Sequence, residues 1–168
     1  MPDMPAQAGP EADLPQDIEG ERYLICTNLG EYYAFPSRYI SEIALFDKVF
    51  PLPLLPGYVL GIINRYSVPY VLMDIGLLIS KQPSSRAKVL VIKEPVKAPG
   101  ALDPETLDKI AFLIDDVIDI VEIPRTEVLP IEGEGEGVIE SSFSWKGKGV
   151  FVLDVRRIIN RAVEDSAA

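Results

Sequence analysis

The densest group of side chains able to move a proton or hold a cation in this sequence is Asp115, Asp116 and Asp119, with Glu122 beyond them. Carboxyls held together raise one another's pKa and can then share acid–base work, and several of them supply the oxygen ligands that a hard cation takes. The same residues also suit a plainer role, a charged strand edge that discourages aggregation. Histidine is absent from all 168 residues. That removes phosphohistidine chemistry, the Ser-His-Asp and Cys-His pairs and every imidazole metal ligand. Cys26 is the single cysteine, so no internal disulfide can form. Between Ile25 and Thr27 it reads as a small apolar core residue, since a reactive thiolate needs an electropositive setting. Gly133, Gly135 and Gly137 alternate with glutamates, which repel a phosphate rather than cradle it. The enzyme reading that survives is a carboxylate- or metal-dependent hydrolase on a small β-barrel, using Asp115, Asp116 and Glu122.

The elements that would position these residues are short. Runs rich in Val, Ile, Tyr and Phe recur at Tyr23–Thr27, Tyr32–Phe35, Ile40–Phe46, Tyr58–Ile63, Val68–Leu72, Lys88–Lys93, Ile110–Ile114, Val117–Ile123, Ile139–Trp145 and Val150–Leu153. Their length and β-branched content suit strands, and their spacing predicts a closed or nearly closed barrel. Leu29-Gly30-Glu31 and Lys146-Gly147-Lys148-Gly149 place glycine where a hairpin needs positive φ. Two short helices are expected, Asp74–Ile79 and Asp154–Val163, each opened by an aspartate N-cap after a strand. This recurrence of strand, Asp and helix suggests a duplicated fold. Residues 1–20, Glu94–Pro104 and Glu132–Gly137 read as a flexible tail, a long hairpin connection and a mobile acidic loop.

Composition narrows the partners. Hydrophobic residues are 48% and charged residues 25%, which suits one globular domain. The apolar runs are far shorter than the roughly 20 residues of a membrane span, and the N-terminus has no secretory pattern. The expected compartment is the cytoplasm. With 26 acidic against 16 basic residues the net charge is -10, and no basic patch interleaved with aromatics offers a nucleic-acid surface.

The run Pro51-Leu52-Pro53-Leu54-Leu55-Pro56-Gly57-Tyr58-Val59-Leu60-Gly61-Ile62-Ile63-Asn64-Arg65-Tyr66, continuing through Val68 to Asp74-Ile75, resembles the central signature of the CheW-like domain. Tyr23-Leu24-Ile25, Tyr33-Ala34-Phe35, Ile40-Ser41-Glu42-Ile43, Phe112-Leu113-Ile114-Asp115-Asp116-Val117 and Val152-Leu153-Asp154-Val155 follow in the family's order, over residues 21–163. Two departures stand out: Arg65-Tyr66-Ser67 replaces the usual Leu-Arg-Gly, and the strand proline is Pro69 rather than residue 71. The guanidinium has thus moved by one residue, which along a strand is the opposite face.

The resemblance implies a mainly β fold of two intertwined five-stranded SH3-like barrels with one or two short helices and a C-terminal helix, followed by a tail from 164 to 168. It implies an adaptor without catalysis or cofactor, docking on the regulatory domain of a CheA-like histidine kinase and accepting the cytoplasmic tip of a methyl-accepting chemoreceptor. Carried over by position, the receptor groove would use Leu24, Ser37, Ile40, Ile43 and Val117, and the kinase or assembly contacts Glu42, Gly61, Asn64, Arg65 and Tyr66. Ordinary core packing explains the apolar members of the groove equally well. An exposed Arg-Tyr pair is commonplace as well as being a typical interface anchor. Trp145 reads as a barrel plug.

Overall fold

The computed structural model describes residues 20–85, 87–93, 109–131 and 137–167. The expected tail before Gly20, the Glu94–Pro104 connection and most of the acidic glycine loop lie outside the described residues. Eleven strands are present among them: β1 Gly20–Asn28, β2 Glu31–Pro36, β3 Ile40–Leu45, β4 Val59–Arg65, β5 Val68–Asp74, β6 Lys88–Ile92, β7 Ile110–Ile114, β8 Asp116–Pro124, β9 Leu129–Pro130, β10 Ile139–Trp145 and β11 Lys148–Leu153. The helices are α1 Ile75–Ser80 and α2 Val155–Ala167.

The strands form a six-stranded sheet, β8-β1-β2-β11-β10-β9, and a five-stranded sheet, β3-β6-β7-β5-β4. The chain begins in the first, builds the whole second sheet, and returns, so the two are intertwined. Two closed five-stranded barrels are not what the ladders show. One sheet has six strands, and no ladder joins the end strands of either sheet among the described residues. The sheets nevertheless curl, because side chains from opposite ends of each meet in its concave core.

The duplication is explicit in the pairing. From β8 to β10 the ladders run antiparallel, antiparallel, parallel, antiparallel, and from β3 to β4 they repeat that series. Bulges recur at matching places: Leu60 lies between the paired residues Val59 and Gly61, and Glu140 between Ile139 and Ser141. The Phe50–Ile62 bridge occupies the place that β9 takes beside β10. In each parallel pair one strand, β5 or β11, leads into a helix capped by aspartate. Asp74 accepts from the Gly76 and Leu77 amides at 2.8 and 3.3 Å, and Asp154 from those of Arg156 and Arg157 at 2.9 and 3.2 Å.

Period-2 alternation divides the apolar side chains among three cores. Along β7, Ile110, Phe112 and Ile114 enter the core shared by both sheets, while Ala111 and Leu113 fill the concavity of the five-stranded sheet. Along β1, Leu24 and Cys26 face the shared core, and Tyr23 and Ile25 the concavity of the six-stranded sheet. Burial on both faces is why these strands read as unbroken apolar runs. Phe35 of one sheet stacks on Phe112 of the other at 5.3 Å, a pair worth about 0.5–1.5 kcal/mol beyond its buried area. Trp145 packs at the concavity of the six-stranded sheet, 6.2 Å from the Tyr32 ring.

Three two-residue hairpin turns have both central residues at positive φ. Leu29-Gly30 and Lys146-Gly147 match expectation; the third is Tyr66-Ser67, at φ 52 and 66°. Tyr66 therefore stands at a turn apex rather than on the opposite strand face, and the strand alternation ends at Arg65. Helix α2 buries Val155, Ile158, Ile159 and Ala162 and continues through Ala167, past the expected end at Val163. Its last turn is held by the Tyr58 hydroxyl, which donates to Asp165 at 2.5 Å.

Candidate interaction surface

Of the carboxylates that opened the enzyme reading, Asp115, Asp116 and Asp119 are committed to structure, and Glu122 is exposed on β8. Asp115 accepts from the amides of Leu29 and Ser85 at 2.7 and 2.5 Å, tying the β1–β2 turn to the segment after α1. Asp116 pairs with Lys88 at 2.7 Å and accepts from its own strand at Val117, and these contacts hold its carboxyl below the usual range. Asp119 accepts from the Ile120 amide at 2.8 Å. Among the described residues no three Asp, Glu or Cys side chains converge as a cation site. Burial pushes the Cys26 thiol far up, away from thiolate chemistry.

The five residues assigned to a groove occupy different settings. Leu24 is 1% exposed within the shared core, so its side chain offers a partner nothing in this form. Ile40 and Val117 occupy equivalent positions on the edge strands β3 and β8, opposite Ile92 and Cys26, and both rest half-buried on the shared core. Ser37 is half-buried in the 3₁₀ turn between β2 and β3. Ile43 is 43% exposed, and its counterpart Ile120 is 51% exposed.

Glu42, Arg65 and Tyr66 do come together. The Arg65 guanidinium donates to the Glu42 carboxylate, joining the two end strands of the five-stranded sheet by side chains where no ladder joins them. It also lies 4.9 Å from the centre of the Tyr66 ring, and the Tyr66 hydroxyl donates to the same carboxylate at 3.4 Å. Tyr66 remains 81% exposed above this clasp. Asn64 and Arg65 line a cavity of about 180 Å³ together with Lys48 and Phe50. Gly61 is not a surface residue: its φ is +142°, and a Cβ there would lie 2.2 Å from the Phe50 carbonyl oxygen. It lets the Phe50 segment bridge to β4.

An exposed apolar ridge escaped the sequence reading. Leu45, Phe50, Leu52 and Leu54 run from the end of β3 into the loop before β4, and Leu54 is 98% exposed. The signal was available in leucines spaced between prolines, which can neither pair as a strand nor turn inward as a helix face.

Comparison with known proteins bears on these surfaces. The sequence profile of the CheW-like domain matches residues 22–163. The chain belongs to the CheW-like domain family. The fold of this CheW-like chain is similar to that of the scaffolding protein TtCheW from Thermoanaerobacter tengcongensis, with a TM-score of 0.67 and 12% sequence identity, covering 81% of this chain and 85% of that one. None of the curated proteins compared with the CheW-like sequence matches it. No helix among the described residues is long and apolar enough to cross a membrane.

Proposed function

We propose that this chain is a non-catalytic adaptor that couples a chemoreceptor to a CheA-type histidine kinase. Membership of the CheW-like family carries the reading, and the surface supports it. The exposed features are contact chemistry: an aromatic at a turn apex, a clasped Arg-Glu pair and an apolar ridge beside them. Tyr and Arg are the side chains most enriched at contact centres. Each half is read as an SH3-like five-stranded barrel left open at one seam, with β9 an addition to one half. The Glu42–Arg65–Tyr66 corner, with Asn64, faces the kinase regulatory domain. Ile40, Ile43 and Val117, with Ser37 at their margin, receive the helical receptor tip, in the mode where an apolar helix face enters a groove. The expected compartment of such a complex is the cytoplasm.

Calorimetry with the purified kinase regulatory domain and a soluble fragment of the receptor tip tests both faces. Tyr66→Ala should weaken kinase binding about tenfold or more, the effect of losing about 1.4 kcal/mol of contact, and leave receptor binding intact. Val117→Asp should do the reverse. Absence of any kinase or receptor binding by the folded wild-type chain at tens of micromolar would refute the adaptor reading.

A further inference from the structure

A cleft of about 320 Å³ opens at one end of the six-stranded sheet. Its walls include Tyr23, Glu140 and Ser141, its floor Ile123 and Val128, and its rim Arg125. Tyr23 is 5% and Ser141 7% exposed, yet neither hydroxyl has a hydrogen-bond partner among the described residues. Neither hydroxyl is sealed from solvent, so both are open at the cleft and free to bond to what enters it.

Glu140 is the bulged residue of β10, and the bulge brings its half-buried carboxyl against Asp154, the cap of α2. Burial, and then the neighbouring Asp154, push the Glu140 carboxyl above its ordinary range. The nearby cations are engaged elsewhere. Arg157 pairs with Asp154 at 3.4 Å and donates to the Gly137 and Ile139 carbonyls, and Arg38 pairs with Glu21, which also borders the cleft. Arg125 is exposed at the rim and makes no ion pair among the described residues.

The duplicated half shows that the fold does not require these groups. By register, Leu60 stands where Glu140 does, Gly61 where Ser141 does and Val89 where Tyr23 does. There, Leu60 and Val89 pack with the apolar core, and the Phe50 backbone lies against Gly61. These three matched positions thus carry an acid and two hydroxyls in one half only; the cavity of about 180 Å³ in the other half is lined by Val89 and Phe50 but by neither Leu60 nor Gly61.

We propose that this cleft receives a basic side chain of a protein partner, with Glu140 as its counter-ion and the Tyr23 and Ser141 hydroxyls accepting hydrogen bonds from its N–H groups. Ile123 and Val128 accommodate the aliphatic stem, as apolar walls do for Arg and Lys. None of the residues lining this cleft is among those assigned to the adaptor faces, and the contact does not depend on that reading.

The test is NMR of the full chain with N-acetyl-arginine amide and N-acetyl-lysine amide as probes and N-acetyl-glutamine amide as control. Either basic probe should shift the Glu140 carboxyl carbon and the Tyr23 ring signals and lower the apparent pKa of Glu140, while the glutamine control leaves them unmoved. Glu140→Gln, which keeps the shape, should abolish the response, and Ser141→Ala should weaken it. Silence of these signals up to about 100 mM probe would overturn the proposal, since single side chains bind in the millimolar range or weaker. So would an unchanged response in Glu140→Gln. Tighter binding of putrescine than of either amide would assign the cleft to a diffusible cation instead. A marked rise in the Glu140 pKa in Arg125→Ala would show that Arg125 is already its counter-ion.

Discussion

Gly61→Ala is the most demanding test of the duplicated fold, because the structure leaves the new methyl group nowhere to go. Its Cβ would lie 2.2 Å from the Phe50 oxygen and 2.8 Å from both the Phe50 carbonyl carbon and the Pro51 Cα, all of them backbone atoms that cannot rotate aside. The Phe50 segment must retreat, breaking the hydrogen bonds from the Phe50 amide to the Ile62 oxygen and from the Ile62 amide to the Phe50 oxygen, at 2.8 and 2.9 Å. Each bond contributes about 0.5–1.5 kcal/mol net. A φ of +142° strains an alanine by a further 1–3 kcal/mol or so. The total is about 2–6 kcal/mol, against a stability of about 5–15 kcal/mol for a typical domain. Thermal unfolding followed by circular dichroism should show Tm lower by about 4–24 °C, at roughly 2–4 °C per kcal/mol for a chain of this size. A Tm within about 2 °C of wild type would refute the argument that Gly61 serves backbone approach. Loss of partner binding with an unchanged Tm would return it to the contact surface.

The remaining expectations separate contact from support. Glu42→Gln should change stability by less than about 1 kcal/mol, because the Arg65 pair is partly exposed, while measurably weakening kinase binding in the same calorimetric assay. Burial, reinforced by the bond to Asp165, holds the Tyr58 phenol above its ordinary value, so its contribution is complete below about pH 10 and is lost as pH rises through the folded value. Tyr58→Phe should therefore lower stability at neutral pH and flatten the alkaline decline seen in denaturant titrations, with Tyr23 and Tyr33 accounting for what remains. Cys26 should resist a thiol reagent in the native protein and react fully once denaturant unfolds it; rapid native labelling would contradict its burial.

What the sequence made legible was whatever depends on local pattern. Ile110–Ile114 is apolar at every position because both of its faces are buried, and such a run needs no tertiary knowledge to read as a strand. Asp74 and Asp154 announced their helices through a capping chemistry that acts over three residues. Failures came where distant segments decide. Leu129-Pro130 is a strand only because Ser141 and Ser142 of β10 lie beside it. Leu24 and Ile40 are chemically alike, yet one lies in the centre of a sheet and the other on an edge strand, so only one reaches the surface. Tyr66-Ser67 carries none of the Asn or Gly that marks a left-handed turn, and the backbone adopts it because β4 and β5 pair on either side. Glu42 and Arg65 were both singled out by position, but their pairing depends on the curl that brings β3 opposite β4.

Duplication also sharpens the functional argument, because one scaffold built twice serves as its own control. Ile40 and Val117 match across the halves, as do Ile43 and Ile120; these positions share apolar chemistry that the common architecture explains. The corner differs. Glu42, Arg65 and Tyr66 correspond by register to Asp119, Trp145 and Lys146, where the lysine lies 4.9 Å from the tryptophan ring. A clasped acid-base pair beneath an exposed tyrosine thus faces, in the other half, a lysine over an indole. The two corners carry one acid and one base each but place them differently, and a misplaced like charge at a contact costs several kcal/mol. If the scaffold served stability alone, exchange of corner residues between halves would leave binding unchanged. The adaptor reading requires instead that Tyr66→Lys disable kinase binding and spare the receptor face at Ile40, Ile43 and Val117, because the corner chemistry is present in one half only.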